Sequence, residues 1–124
     1  MKIEKFEMYY NLLERWMTIH EEGRTIADIL AARNFRTIAL YGIGKIGKHV
    51  IAELADSEIT ILYGIDRSKP GIYNKIPIMG MGDPFPVVDV ILVTAIYDFD
   101  EIEPILKAKT DCQVISLEEI LYEG

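Results

Sequence analysis

The chain holds one cysteine, Cys112, one tryptophan and two histidines among its 124 residues. A lone thiol cannot close an internal disulfide, which excludes a disulfide scaffold and suits a reducing compartment. His20 and His49 stand far apart with no ligand spacing around them, so no metal centre is expected. No apolar run approaches the roughly 20 residues that a membrane helix needs, and the first ten residues are too charged for a signal peptide. The expected location is therefore cytoplasmic. A basic excess is missing as well: 13 Lys and Arg stand against 20 Asp and Glu, a formal net charge of −7. A general nucleic-acid binder should show a basic face, so that class is set aside.

What is present is a globular composition, with half the residues hydrophobic and 27% charged. The length suits one domain that builds its core without disulfides or metals. The acid is unevenly spread. Residues 1–50 carry 8 basic and 6 acidic side chains, and residues 51–124 carry 5 and 14.

The basic half contains the most informative stretch, TIALYGIGKIGKHVIAEL, from Thr37 to Leu54. An apolar run breaks into Gly42-x-Gly44-x-x-Gly47, and helical apolar spacing resumes at Ile46, Val50, Ile51 and Leu54. A strand that runs through this spacing into a helix meets the context of a dinucleotide-binding turn. Gly42 would permit the tight turn, Gly44 would admit a pyrophosphate, and Gly47 would let helix and strand pack closely. The free amides at such a helix start hold an anion. The plainer alternative is that the glycines serve backbone freedom alone.

Two helices are expected before this turn. Phe6, Tyr9, Tyr10, Leu13, Trp16 and Met17 recur at three- and four-residue spacing as one broad apolar stripe, with Met8, Leu12 and Ile19 widening it. Gly23 should end that helix, and Thr25 with Asp28 predicts a capping box for a second one, closed by Asn34. Both helices would cover a sheet face, or the first would also form a homodimer seam. After the turn, residues 59–65 read as a buried strand that ends at Asp66, 22 residues beyond Gly44. A carboxylate there suits ribose hydroxyls, although Asp-Arg-Ser also reads as a turn. Arg67 would tolerate a 2′-phosphate that Asp66 would repel, so NAD is favoured over NADP.

Residues 68–86, with Pro70, Gly71, Pro77, Gly80, Gly82, Pro84 and Pro86, predict a loop around a short strand at 75–79, with Pro77 placed at a sheet edge. Too few residues follow for an ordinary helical crossover, so that strand is antiparallel or its crossover is an abbreviated loop. Residues 87–95 form an apolar run expected of a central strand. Asp98 with Glu101 predicts a capping box for a helix that tolerates Pro104 near its start. Residues 113–116 give a last strand, and Ser116 with Glu119 would cap a final helix. Alternating strands and helices define an α/β class with a mostly parallel sheet. Ligands of such sheets sit at the carboxyl ends of strands, here Gly42 to Lys48, Asp66 with Arg67, and Thr94 to Tyr97.

The segments YGIGKIGKHV, YGIDRS, IPIMG, VDVILVTA and VISLEEIL together resemble, over residues 36–122, the small Rossmann-type nucleotide-binding domains of bacterial surface-carbohydrate biosynthesis. Such domains precede sugar-nucleotide N-acetyltransferases and form the cofactor half of sugar-nucleotide dehydratases. The resemblance implies a Rossmann-like, mostly parallel twisted sheet of about five strands with helices on both faces. Residues 1–35 would then be an N-terminal helical extension, and residues 36–124 the nucleotide-binding domain. It also implies that Gly42, Ile43, Gly44, Lys45 and Ile46 hold phosphates, that Asp66 holds the ribose, and that Thr94, Ala95 and Ile96 line the far side of the ligand. The ligand would be NAD or a UDP-sugar. Two departures from the family pattern are expected: the near absence of a helix between the IPIMG-like strand and the next, and no catalytic domain following Gly124.

Catalytic residues are not evident. Tyr41 and Lys45 have the spacing of a dehydrogenase pair but straddle the glycine turn. Asp98, Asp100, Glu101 and Glu103 suit a helix start through the macrodipole. Lys45 and Lys48 would pair with phosphates or simply be solvated. The expected function is a non-catalytic nucleotide-binding module associated with polysaccharide or sugar-nucleotide biosynthesis, acting as a homodimer through its first helix or with a separate catalytic protein. The alternatives are a subunit or fragment of an NAD-dependent sugar-nucleotide oxidoreductase or dehydratase, and an assembly domain whose ligand site is vestigial.

Overall fold

Hydrophobic periodicity and the glycine turn lay out most of the elements. A computed structural model describes residues 2–67 and 70–123. In chain order these form α1 (Ile3–Glu21), α2 (Ile26–Ala32), β1 (Thr37–Tyr41), α3 (Lys45–Leu54), β2 (Thr60–Ile65), β3 (Gly71–Tyr73), β4 (Ile76–Met79) and β5 (Val90–Val93). A 3-10 turn (Ile96–Asp98), α4 (Phe99–Lys107), β6 (Gln113–Ser116) and α5 (Leu117–Glu123) follow. The six strands make one sheet in the order β3-β4-β2-β1-β5-β6. All neighbours are parallel except the β3–β4 pair. The architecture is α/β, with six strands where about five are expected and with both N-terminal helices in place.

Strand alternation divides the core between two faces. Ile38 and Leu40 of β1 and Val90 and Leu92 of β5 pack with Leu12, Trp16 and Ile19 of α1, Leu30 of α2, Val50 and Leu54 of α3, and Leu121 of α5. Ala39, Ile91 and Val93 face the other way, with Tyr63 and Ile65 of β2 against Ile102 and Leu106 of α4. β5 is buried at all four residues, as a central strand covered on both sides should be. It is shorter than the apolar run that encodes it, because Val87 is 85% exposed and Val88 belongs to the incoming loop.

The segment between β4 and β5 makes its crossover without a helix. Phe85 stacks at 6.0 Å on Tyr63, the Tyr63 hydroxyl donates to the Pro86 carbonyl at 2.8 Å, and Lys109 donates to the Met81 carbonyl. Burial, with the Cys112 thiol beside it, pushes the Tyr63 phenol up to about 12, so it remains a donor. β4 is parallel to β2, which settles the abbreviated loop over the antiparallel strand. β3 adds an outer antiparallel strand through a two-residue turn at Asn74 and Lys75, both at positive φ. Pro77 is therefore not on an edge strand. It precedes the two β4 residues, Ile78 and Met79, that pair with β2. Part of the loop expected before this hairpin, Ser68 and Lys69, lies outside the described residues.

Several local signals form as expected and two do not. Thr25 and Asp28 make the reciprocal capping box of α2, and Gly23 and Asn34 take positive φ at the helix ends. Asp98 makes no side-chain cap, because the preceding 3-10 turn already runs into α4, and Pro104 lies inside that helix rather than in its first turn. Ser116 accepts from the Glu118 amide, but Glu119 reaches Arg33 at 3.0 Å instead of closing a box. The larger correction concerns α1. Leu12, Trp16 and Ile19 enter the core, whereas Phe6, Tyr10, Leu13 and Met17 of the expected stripe remain exposed.

Two carboxylates fix the frame. Glu53 on α3, 11% exposed, accepts from Trp16 Nε1 at 2.9 Å and from the Ile26 amide at 2.7 Å, and also bonds the His20 ring. Asp89 accepts from the amides of Arg36 and Thr37 at 2.7 and 3.0 Å, pinning the start of β1 to that of β5. Glu53→Ala should cost about 2–4 kcal/mol in urea denaturation, since it strands buried donors on two elements, and Glu53→Gln should cost less because it keeps an acceptor. The two amides hold the Asp89 carboxyl below its ordinary value of 3.8, so its stabilisation is present above that pH and is lost as pH falls through the lowered folded value. In Asp89→Asn, melting temperature should accordingly fall less steeply below pH 3.8 than in the parent protein.

Candidate functional site

The sheet order places its reversal at β1, which is followed in the chain by β2 on one side and flanked by β5 on the other. A crevice outside the carboxyl ends of strands at such a point is where ligands of open α/β sheets bind. Here it is built by the glycine turn. Gly42 continues the ladder by donating to the Ile65 carbonyl at 3.0 Å, then takes φ +96, which favours glycine. A Cβ on it would lie 2.7 Å from Thr94 Oγ1. That hydroxyl donates to the Gly42 carbonyl at 2.7 Å, with the Tyr41 carbonyl 3.1 Å away. Thr94, 4% exposed, thus ties the end of β5 to the turn.

Gly47 and Gly44 differ in what surrounds them. A Cβ on Gly47 would stand 2.2 Å from the Gly42 carbonyl oxygen, so α3 can seat against its strand only without a side chain there. Gly44 is the N-cap of α3 at φ −81, no side chain caps that end, and its absent side chain would meet nothing within 4 Å. The first amides of a helix lack intrahelical partners and carry the positive end of its dipole. Gly64 on β2 is a further constraint: a Cβ there would fall 2.8 Å from Ile43 Cδ1 and from Ile78 Cδ1, so Ile43 lies across β2.

A cleft of about 520 Å³ opens over this turn, within the range of about 300–1,000 Å³ typical of small-molecule sites. It is lined by Gly42, Gly44, Lys45, Ile46, Gly47, Thr94 and Ala95, and on its far wall by Lys5, Phe6 and Tyr9 of α1. Both charged residues of the lining are lysines. Burial raises the Tyr9 pKa, opposed by the backbone of Tyr97 and Ile96, so its phenol stays protonated at neutral pH. The ammonium groups of Lys2 and Lys5 stand 6.0 and 5.8 Å from the Tyr97 ring and hold the start of α1 beside the 3-10 turn.

The sequence-singled residues separate into two groups. Seven of them line the cleft, as just named. Ile43 lies over Gly64, Ile96 is 3% exposed in the core beneath α1, and Asp66 and Arg67 follow β2 outside the cleft lining. The Asp66 amide donates to the Met79 carbonyl at 2.9 Å, which keeps this segment at the carboxyl edge of the sheet. Lys48 lies 5.0 Å from the Tyr73 ring rather than in the cleft. Tyr41 is 7% exposed in the core on the α4 side while Lys45 opens α3, so the two sit on separate elements. Among the described residues, no His, Cys, Asp and Glu side chains group for a metal, and no helix is long and apolar enough to cross a membrane. Lys5, Phe6 and Tyr9 are the lining residues that sequence reasoning missed. Phe6 and Tyr9 were visible only as parts of an apolar stripe.

Comparison with protein-family models, with curated proteins and with solved structures gives no match for this chain.

The contrast between two glycines makes the geometry testable. Gly47→Ala should destabilise the fold by about 2–4 kcal/mol, because backbone rather than a mobile side chain blocks the new Cβ. Gly44→Ala, with open space around it, should change urea stability by less than about 1 kcal/mol.

Proposed function

We propose that this chain is a nucleotide-binding module of the Rossmann-like kind, which takes NAD or a nucleoside-diphosphate sugar by its pyrophosphate and serves bacterial sugar-nucleotide or polysaccharide biosynthesis. The observation that carries the binding reading is one cleft. In it an uncapped helix N-terminus, a turn kept open at Gly44 and two lysines, Lys5 and Lys45, face the same space. Each element favours an anion, and their convergence favours a diphosphate. The parallel strands support the reading. In order across the sheet they are the third, second, first, fourth and fifth of the chain, the arrangement of the dinucleotide-binding fold.

The ribose of such a ligand would extend across Ile43 toward Asp66, whose carboxylate suits a diol. Thr94 holds the turn and Tyr9 offers a protonated phenol from the opposite wall. These are groups for holding and orienting a ligand, so the chain binds and a partner protein supplies any reaction. The link to carbohydrate biosynthesis rests on the sequence resemblance alone.

Millimolar NAD, ADP, UDP and UDP-N-acetylglucosamine, screened by thermal shift, test this. A ligand at 100 times its dissociation constant adds about 2.7 kcal/mol, a rise of several degrees in a domain of this size. Lys45→Glu should abolish that rise while leaving the melting temperature of the free protein within about 2 °C. Asp66→Ala should weaken a ribose-bearing ligand by about 1–3 kcal/mol, measured by calorimetry. No rise with any of the four would refute the reading.

A further inference from the structure

The exposed large apolar residues of α1 form one row, Ile3, Phe6, Tyr10, Leu13 and Met17, with Ile3 74% and Met17 64% exposed. Their spacing is three, four, three, four. That is the a/d pattern of a heptad, the narrow seam along which two helices wind around each other. A helix lying on a sheet needs a broader stripe, and α1 already has its core contact through Leu12, Trp16 and Ile19. The row is thus a second apolar face, built to a helix's dimensions.

We propose that this row is the seam of a parallel, two-fold homodimer in which α1 of one copy pairs with α1 of another. The charges beside the row select both occupant and direction. With Ile3, Tyr10 and Met17 at a and Phe6 and Leu13 at d, the e positions are Glu7, Glu14 and Glu21, and the g positions are Lys2, Tyr9 and Trp16. An antiparallel pair sets e against e, which brings Glu7 of each copy to Glu14 of the other. A parallel pair sets g against e, which brings Lys2 of one copy to Glu7 of the other and sets no glutamate against another, while Tyr9 and Trp16 at the other g positions turn toward their own domain.

The extent of the row fits the same occupant. Four mostly exposed side chains and a half-exposed Leu13 present on the order of 700 Å² per copy, close to the roughly 800 Å² per partner of a standard interface. A 440 Å³ groove lined by Leu13, Trp16, Met17, His20, His49 and Glu53 runs beside the seam and gives the partner helix room to settle. Phe6 belongs both to the seam and to the lining of the cleft over the glycine turn. Pairing therefore fixes one wall of the ligand site, although the dimer itself does not depend on what that site binds.

Sedimentation at high micromolar concentration should give a dimer. Tyr10→Lys combined with Met17→Lys sets lysines against lysines in the seam and should yield a monomer with an unchanged circular dichroism spectrum, since both side chains are exposed. A monomeric parent protein, or a double variant that stays dimeric, overturns the proposal. Direction is read separately and without disturbing the fold. Ile3→Cys alone and Met17→Cys alone should each form a disulfide-linked dimer on mild oxidation, above the background set by Cys112. Linkage only when the two variants are mixed would show an antiparallel pair and overturn the arrangement.

Discussion

One carboxylate decides where the N-terminal third of the chain sits. Glu53 lies on the helix that leaves the glycine turn, and it gathers the Trp16 indole, the His20 ring and the first amide of α2 around two oxygens. An acid this shielded is tolerable only because its acceptor capacity is filled. Its position on α3 means that α1 and α2 are referenced to the same helix whose start would hold the ligand. Without it α1 would still have apolar residues to bury, but its rotation, which determines which residues wall the cleft, would lose its polar anchor on α3. Arg15 and Tyr122 add the axial constraint by joining α1 to α5.

The site and the core are not separable here. Thr94 ends the most buried strand and holds the turn by its hydroxyl, and Gly47 lets α3 approach until its Cα meets the turn's carbonyl. Gly44 alone of the three glycines faces open space. The turn is therefore a rigid seat with one vacancy in its wall, and preorganisation of that kind lowers what a ligand must spend on ordering the protein. The loop between β4 and β5 does comparable work on the other face, where Phe85 and Tyr63 fill the place a crossover helix would cover.

The sheet, the glycine turn and the capping box of α2 were legible because each is written in a local pattern: alternation, glycine spacing, and Thr25 with Asp28. β3 was not, because its hairpin turns on Asn74-Lys75, and a lysine at positive φ carries no turn signal of the Asn-Gly kind. The packing face of α1 was not legible for a different reason. The helix has two apolar stripes, and periodicity alone cannot say which meets the sheet and which meets solvent. Glu53 reads as an ordinary solvated acid until the indole and amide that it serves are brought near by tertiary structure. The cleft followed the same rule: its floor joins the glycine motif to Thr94 and Ala95 after β5, while its far wall comes from residues more than thirty positions upstream of the motif.

The tie between the first helix and the last also orders events during synthesis. Arg15 waits for Leu121 and Asn11 for Tyr122, separations of 106 and 111 residues. At translation rates of about 5–20 residues per second, α1 is made several seconds or more before α5 exists to receive it. Through that interval both of its apolar stripes are open to solvent, since β1, α3 and β5 must emerge before the inner one can be buried. The nascent chain thus displays its most adhesive helix first and secures it last, which makes α1 the segment that a chaperone, or a neighbouring nascent copy on the same messenger, would meet.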